Sequence, residues 1–253
     1  METPDSRTFC PIFGIPISRQ GLDEAVEFSI ESGKSGQGGA FYFVNVHSLT
    51  ESRDHLLLRN AMLRARACFA DGMPLVWVAR RKGFPIKSRV CGPDLMKALL
   101  ARTQDQAHGF IGGLPGRSEK VAKRAGLQEA FHLSPPVRPF SKDNVHEDLR
   151  NFEKQLGGRP WPKWVWVGLG APKQELWIEI AARERPGVCF FGVGAAFDFL
   201  SGSKPRAPRW MQHSGLEWAF RLATEPKRLG SRYVTTNSKF IAAVLLSDEL
   251  KKS

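Results

Sequence analysis

Four consecutive bulky apolar residues, Trp164-Val165-Trp166-Val167, run into a glycine-containing turn and then into a helical pattern over 175–183. A strand with no polar alternation is buried on both faces, which requires a parallel sheet covered by helices. Similar apolar runs occur at 40–46, 67–70, 109–112 and 188–193, with the run above spanning 164–168. Helical spacing lies between them. Leu22, Ala25, Val26, Ser29 and Ile30 share one face, as do Leu56, Leu57, Asn60, Met62 and Leu63, and then Leu95, Leu99 and Leu100. Residues 118–128 read as a basic helix, and 133–162 as irregular with one helix near 145–155. The alternation predicts an α/β fold: a Rossmann-like, mostly parallel sheet flanked by helices. From Lys204 onward the pattern is helical with no clear strand. The predicted organisation is an α/β domain over 1–203 and a basic helical C-terminal appendage over 204–253.

Ligands on such sheets sit at the C-terminal ends of the strands, in the loops that follow. Asn45, Asp71, Gly112-Gly113 and the turn 168–174 all fall there. A turn into a helix offers free backbone N–H groups at the positive end of the helix dipole. Lys173 and Gln174 add a cation and an amide, a suitable set for a phosphate or a sugar hydroxyl; a plain strand–helix joint is equally consistent. Asp71, before Gly72 and Pro74, is either a helix cap or a general base. Asn45 suits a strand end. Arg89 is a phosphate fork or a solvated surface residue. Asp94 is expected to cap the helix that begins at Leu95. Gly112-Gly113-Leu114-Pro115-Gly116-Arg117 has the look of a nucleotide-binding turn without the full Gly-x-Gly-x-x-Gly spacing. Asp198, inside an apolar run, needs a partner, either a ribose or backbone amides. His47 and His213 have no companion at metal-ligand spacing.

The chain of 253 residues carries a formal charge of +12, which favours an anionic partner. No zinc-finger, RNP or basic-zipper pattern is present, so nucleic acid is not the expected one. Between Lys204 and Lys239 stand eight basic residues and two acids. Arg206, Arg209, Arg221, Arg228 and Arg232 are among them, interleaved with Trp210, Trp218, Phe220 and Tyr233, a mixture suited to a membrane–water interface. Four scattered cysteines read as free thiols in a reducing compartment. There is no signal-peptide core and no apolar run of the roughly 20 residues a spanning helix needs. A cytoplasmic, at most peripheral, location is expected.

A series of separated motifs in one order carries a resemblance. They are Asp71-Gly72-Met73-Pro74, Gly92-Pro93-Asp94-Leu95-Met96, Gly168 to Glu175, Gly192 to Gly202, Arg206 to Met211, Gly215 to Leu222 and Glu225 to Leu229. Together they resemble the WecG/TagA/CpsF family of bacterial glycosyltransferases, over roughly Phe13 to Tyr233. The resemblance implies transfer of a hexose-type sugar from a UDP-sugar to an undecaprenyl-diphosphate-linked saccharide in cell-surface polysaccharide synthesis. It places the proposed general base at Asp71 and an Asn at Asn45, and it matches Arg89. Where the family usually has Thr, two residues before Asn45, this chain has Phe43, which removes a hydroxyl contact to sugar. It also implies that the C-terminal segment closes over the active site and helps to reach the lipid-linked acceptor. No Asp-x-Asp metal motif is present, so no metal or other cofactor is expected. The leaving diphosphate would then be neutralised by protein cations and helix N-termini, with Arg206, Arg209, Arg221, Arg228 and Arg232 the supply of cations. The alternative from another class is a non-catalytic nucleotide- or RNA-binding module using the same loops and basic tail.

Overall fold

A computed structural model describes residues 8–224 and 236–244 of the chain. The strands are β1 (Phe9–Ile12), β2 (Ile15–Ser18), β3 (Gly39–Val44), β4 (Ala67–Ala70), β5 (Ala107–Gly112), β6 (Glu129–Leu133), β7 (Trp164–Gly168) and β8 (Cys189–Gly192). They form one sheet in the order β1-β2-β4-β3-β8-β7-β5-β6. Every neighbouring pair is parallel except the β1–β2 hairpin. The α/β fold and its mostly parallel sheet are thus as the apolar runs predict. The hairpin and β6 were not anticipated. Pro11 and Pro16 argue against a strand, yet here they oppose each other in the outermost hairpin, where a missing N–H is tolerated. Phe13 and Gly14, at φ 48° and 77°, make the two-residue turn whose twist suits a hairpin.

The helices are α1 (Leu22–Lys34), α2 (Val46–Asp54), α3 (Leu56–Leu63), α4 (Met73–Arg81), α5 (Gly92–Arg102), α6 (Arg117–Ala125), α7 (Lys142–Leu156), α8 (Lys173–Glu184), α9 (Ala196–Leu200), α10 (Arg209–His213) and α11 (Glu217–Thr224). Residues 236–244 are also helical. Alternate strand residues serve two cores. Tyr42, Val44, Cys68, Ala70, Val165, Val167 and Phe190 face α2, α3, α4, α7 and α8. Phe41, Phe43, Phe69, Phe110, Trp164, Trp166 and Phe191 face α1, α5, α6 and α9. On the second face an aromatic row crosses four strands: Trp166 to Phe191 at 4.7 Å, Phe191 to Phe41 at 4.6 Å, and Phe41 to Phe69 at 6.4 Å between centroids. A one-residue slip would turn that row to the other face, so it helps to fix register. All four cysteines are buried and free.

Part of the C-terminal segment packs into the body. Ala207, Phe240 and Val244 are buried, and the Phe240 ring meets Phe13 edge-on at 5.9 Å. Among the described residues no helix is long and apolar enough to cross a membrane.

Candidate active site

The C-terminal ends of β3, β4, β5, β7 and β8 lie along one edge of the sheet, so the loops carrying Asn45, Asp71, Gly112-Gly113, Gly170 and Gly194 share that edge. Asp71 directly follows β4. Its N–H donates to the Val44 carbonyl at 2.8 Å, which holds it level with the end of β3. Gly72, at φ 130°, then turns the chain into α4. Gly72, not Asp71, is the cap residue of α4, and no side chain caps that helix. The half-buried Asp71 carboxylate accepts no hydrogen bond from the described residues. Burial pushes it up to about 6; Arg221 pulls it down, Glu217 pushes it up, and Arg89 and Arg206 pull more weakly. It is a carboxylate poised to gain or lose a proton near neutral pH, surrounded by arginines.

Those arginines arrive from three segments. The Val90 N–H donates to the Ala70 carbonyl at 2.9 Å, which pins the Arg89 loop beside the end of β4. Arg89 then donates to Glu217 Oε2 at 2.7 Å and to Gln212 Oε1 at 3.0 Å. Arg206 donates to both Asp94 oxygens, one of them at 2.9 Å, and to Cys91 Sγ at 3.1 Å. Arg221 donates to Glu217 Oε1 at 3.1 Å and stands over the Phe199 ring. The pairs are crossed. An arginine of the sheet body holds an acid of the C-terminal segment, and an arginine of that segment holds an acid of the body. Burial opposes the charge on Glu217, but Arg221 and Arg89 keep its carboxyl below the usual range. Asp94 is likewise held low by Arg206 and the Cys91 thiol, against the effect of burial.

The expected cap role of Asp94 is not what the fold uses. It lies in the first turn of α5, whose cap residue is Cys91, and spends its carboxylate on Arg206. Asn45 does cap. Its Oδ1 accepts from the Ser48 N–H at 3.1 Å, and Ser48 Oγ accepts from the Asn45 N–H at 3.1 Å. That box explains α2, which the sequence reading did not foresee. Phe43 packs its ring on Phe69 at 5.7 Å, beneath this edge.

The other half of the edge is differently made. A Cβ on Gly112 would lie 2.5 Å from the Gly168 carbonyl oxygen, and one on Gly113 would lie 2.8 Å from the Phe197 ring. The glycines there admit neighbouring backbone and ring. Gln174 is buried; its Nε2 donates to the Gly192 carbonyl at 3.2 Å and its Oε1 accepts from the Gly194 N–H at 3.0 Å. Lys173 donates to the Arg138 carbonyl at 2.9 Å. Asp198 pairs with Arg117 at 3.6 Å and Lys204 at 3.5 Å, cationic side chains rather than backbone amides. Arg228 and the His213 side chain lie outside the described residues. His47 pairs with Glu51 at 3.3 Å.

The cluster at β4 therefore combines a carboxylate that titrates near neutral pH with converging guanidinium groups, a set able to serve a reaction that expels an anion. A family model for the glycosyl transferase WecG/TagA/CpsF family matches residues 10–253. The chain belongs to that family. A WecG/TagA/CpsF protein is a glycosyltransferase of cell-surface polysaccharide synthesis. The matched span takes in both halves of the crossed ion pairs, the sheet body and the segment after Lys204.

Two contributors escaped the sequence reading. Glu217 counted there only as an acid among many bases. Its signal was its spacing, four residues before Arg221 on one helix. Glu175 is the other: a buried carboxyl pushed up to about 7 by burial, adjacent to Gln174, with no partner for Oε2 among the described residues.

Proposed function

We propose that this family member is an inverting hexosyltransferase that uses a UDP-sugar donor and an undecaprenyl-diphosphate-linked saccharide acceptor. The observation that carries the reading is a carboxylate, Asp71, that takes no hydrogen bond from the described residues and feels the charges of Arg89, Arg206 and Arg221. Asp71 takes the proton from the acceptor hydroxyl as its oxygen attacks the anomeric carbon. The bond from that carbon to the phosphate oxygen breaks, and UDP leaves with the electron pair. Arginines neutralise the charge that develops on the diphosphate, Arg228 among them, with no metal required. Asn45, whose Nδ2 is not used in its capping box, is assigned to the substrate. Lys173, Gln174, Gly112 and Gly113 shape the donor side through the backbone they hold, and Asp198, within α9, ties that helix to Arg117 and Lys204. In this reading residues 204–253 act as an appendage that meets the anionic inner face of the plasma membrane, and 1–203 as the catalytic domain.

A screen of UDP-sugars against a lipid-diphosphate monosaccharide tests the reading, with UDP release as the signal. Release should require both substrates and persist in excess EDTA. Loss under EDTA, with recovery on adding a divalent ion, refutes the metal-independent mechanism. Salt-sensitive RNA binding without release of UDP from any donor replaces the transferase by the binding module.

A further inference from the structure

We propose that Glu217 is a resident counter-anion of a diphosphate-binding site, holding Arg89, Arg206 and Arg221 together and yielding them to the ligand. Three guanidinium groups from separate segments converge on this one carboxylate. Arg89 Nη1 is 2.7 Å from Oε2, Arg221 Nη2 is 3.1 Å from Oε1, and Arg206 Nε is 3.9 Å from Oε1. The last is an ion-pair distance, too long for a hydrogen bond. Two oxygens cannot satisfy three guanidinium forks, and the fold shows the shortfall. The Nε atoms of Arg206 and Arg221 are buried and have no hydrogen-bond partner among the described residues. Buried donors are seldom left this way, because each has given up its water without a replacement. A diphosphate offers several charged oxygens and matches planar guanidinium groups in pairs.

Arg206 has a second anchor, its two-pronged pair with Asp94. Release of Glu217 therefore leaves Arg206 anchored on Asp94 and Arg89 on Gln212 Oε1, and opens their remaining N–H groups and those of Arg221 to the ligand. The diphosphate as natural ligand rests on the transferase reading; the displaceable carboxylate rests on the geometry alone.

The test is calorimetric titration of inorganic pyrophosphate into the full-length protein, its Glu217→Gln variant and its Glu217→Asp variant. Each is first shown to be folded by its melting curve. Removing the competing charge should tighten pyrophosphate binding by about tenfold or more in Glu217→Gln, which corresponds to about 1.4 kcal/mol. Glu217→Asp keeps the charge but is one methylene too short to span Arg89 and Arg221, and should bind a few-fold tighter than the parent. It carries the test if Glu217→Gln does not fold. Unchanged or weaker binding in the folded variants overturns the proposal, because Glu217 is then only a structural latch. Absence of pyrophosphate binding in all three proteins overturns it too. Tighter binding in the variants, with no UDP release from any sugar donor, preserves this inference and rejects the transferase reading.

Discussion

The two halves of the sheet's C-terminal edge are built from similar sequence material and used differently. In the half formed by β5, β7 and β8, the side chains that open α8 hold backbone: Gln174 bridges Gly192 and Gly194, and Lys173 holds the Arg138 carbonyl, while Asp198 is the residue there that pairs with charges, Arg117 and Lys204. At β4, polar side chains serve one another: Arg89 with Glu217 and Arg206 with Asp94, while the Asp71 carboxylate takes no hydrogen bond from the described residues. Amide-to-backbone bonds can be exchanged only by breaking the loop they hold. Ion pairs between side chains can be re-formed around an incoming anion. A glycine turn at a helix start is thus a weaker pointer to chemistry than a cluster of charges paired chiefly with one another.

The comparison breaks most severely if the C-terminal segment is removed. Deleting Lys204 to Ser253 takes away Arg206, Glu217 and Arg221 and uncovers the surface under Phe240 and Val244. Turnover should fall to background in the UDP-release assay. Parent-like turnover from the truncated chain would confine the chemistry to the sheet body. Binding of the parent to anionic liposomes should weaken as salt rises, each basic contact contributing up to about 1 kcal/mol, and the truncated protein should bind less.

Smaller changes sharpen the contrast. Gln174→Ala leaves the Gly192 carbonyl and the Gly194 N–H without their partner, and should cost about 1–3 kcal/mol in denaturant unfolding. In the ion-pair half, Arg206→Gln and Asp94→Asn should each cost about 1–2 kcal/mol, less than fully buried charges because both side chains are partly exposed. Their combination should cost less than the sum, and strict additivity in that double-mutant cycle would deny the pairing.

The smallest effect concerns pH. The folded-state value of Asp71 lies above its unfolded one, so folding binds the proton more tightly. That contribution to stability is full below 3.8 and is lost as pH rises through about 6. Asp71→Asn should therefore melt above the parent at pH 8, with the gain shrinking toward pH 4. Glu175→Gln should show the same sign over a higher window, from 4.5 to about 7. Catalysis runs the opposite way, with parent activity falling below about pH 6 as Asp71 is protonated.

Much of the fold was legible because fully buried strands leave an uninterrupted apolar record. The runs at β4 and β7 coincide with Ala67–Ala70 and Trp164–Gly168. β6 was not legible, being an edge strand of mostly half-buried residues, and neither was α2, whose polar sequence depends on the Asn45–Ser48 box. At the site, Asp71, Arg89, Arg206 and Arg221 were named from sequence and come together in space. Glu217 was counted as an acid but given no role, because its link to the sheet body runs to Arg89, 128 residues away.

The central claim is that Asp71 is the proton acceptor of sugar transfer. The most direct measurement is kcat for Asp71→Asn, using a UDP-sugar and a soluble short-chain lipid-diphosphate acceptor at pH 7.5, on protein shown to be folded. The substitution keeps the volume and removes the basic carboxylate, so kcat should fall by about 10²–10⁴. The residual rate should lose the parent's decline below about pH 6. A folded Asp71→Asn variant that turns over within a few-fold of the parent, with the same pH profile, would contradict the claim.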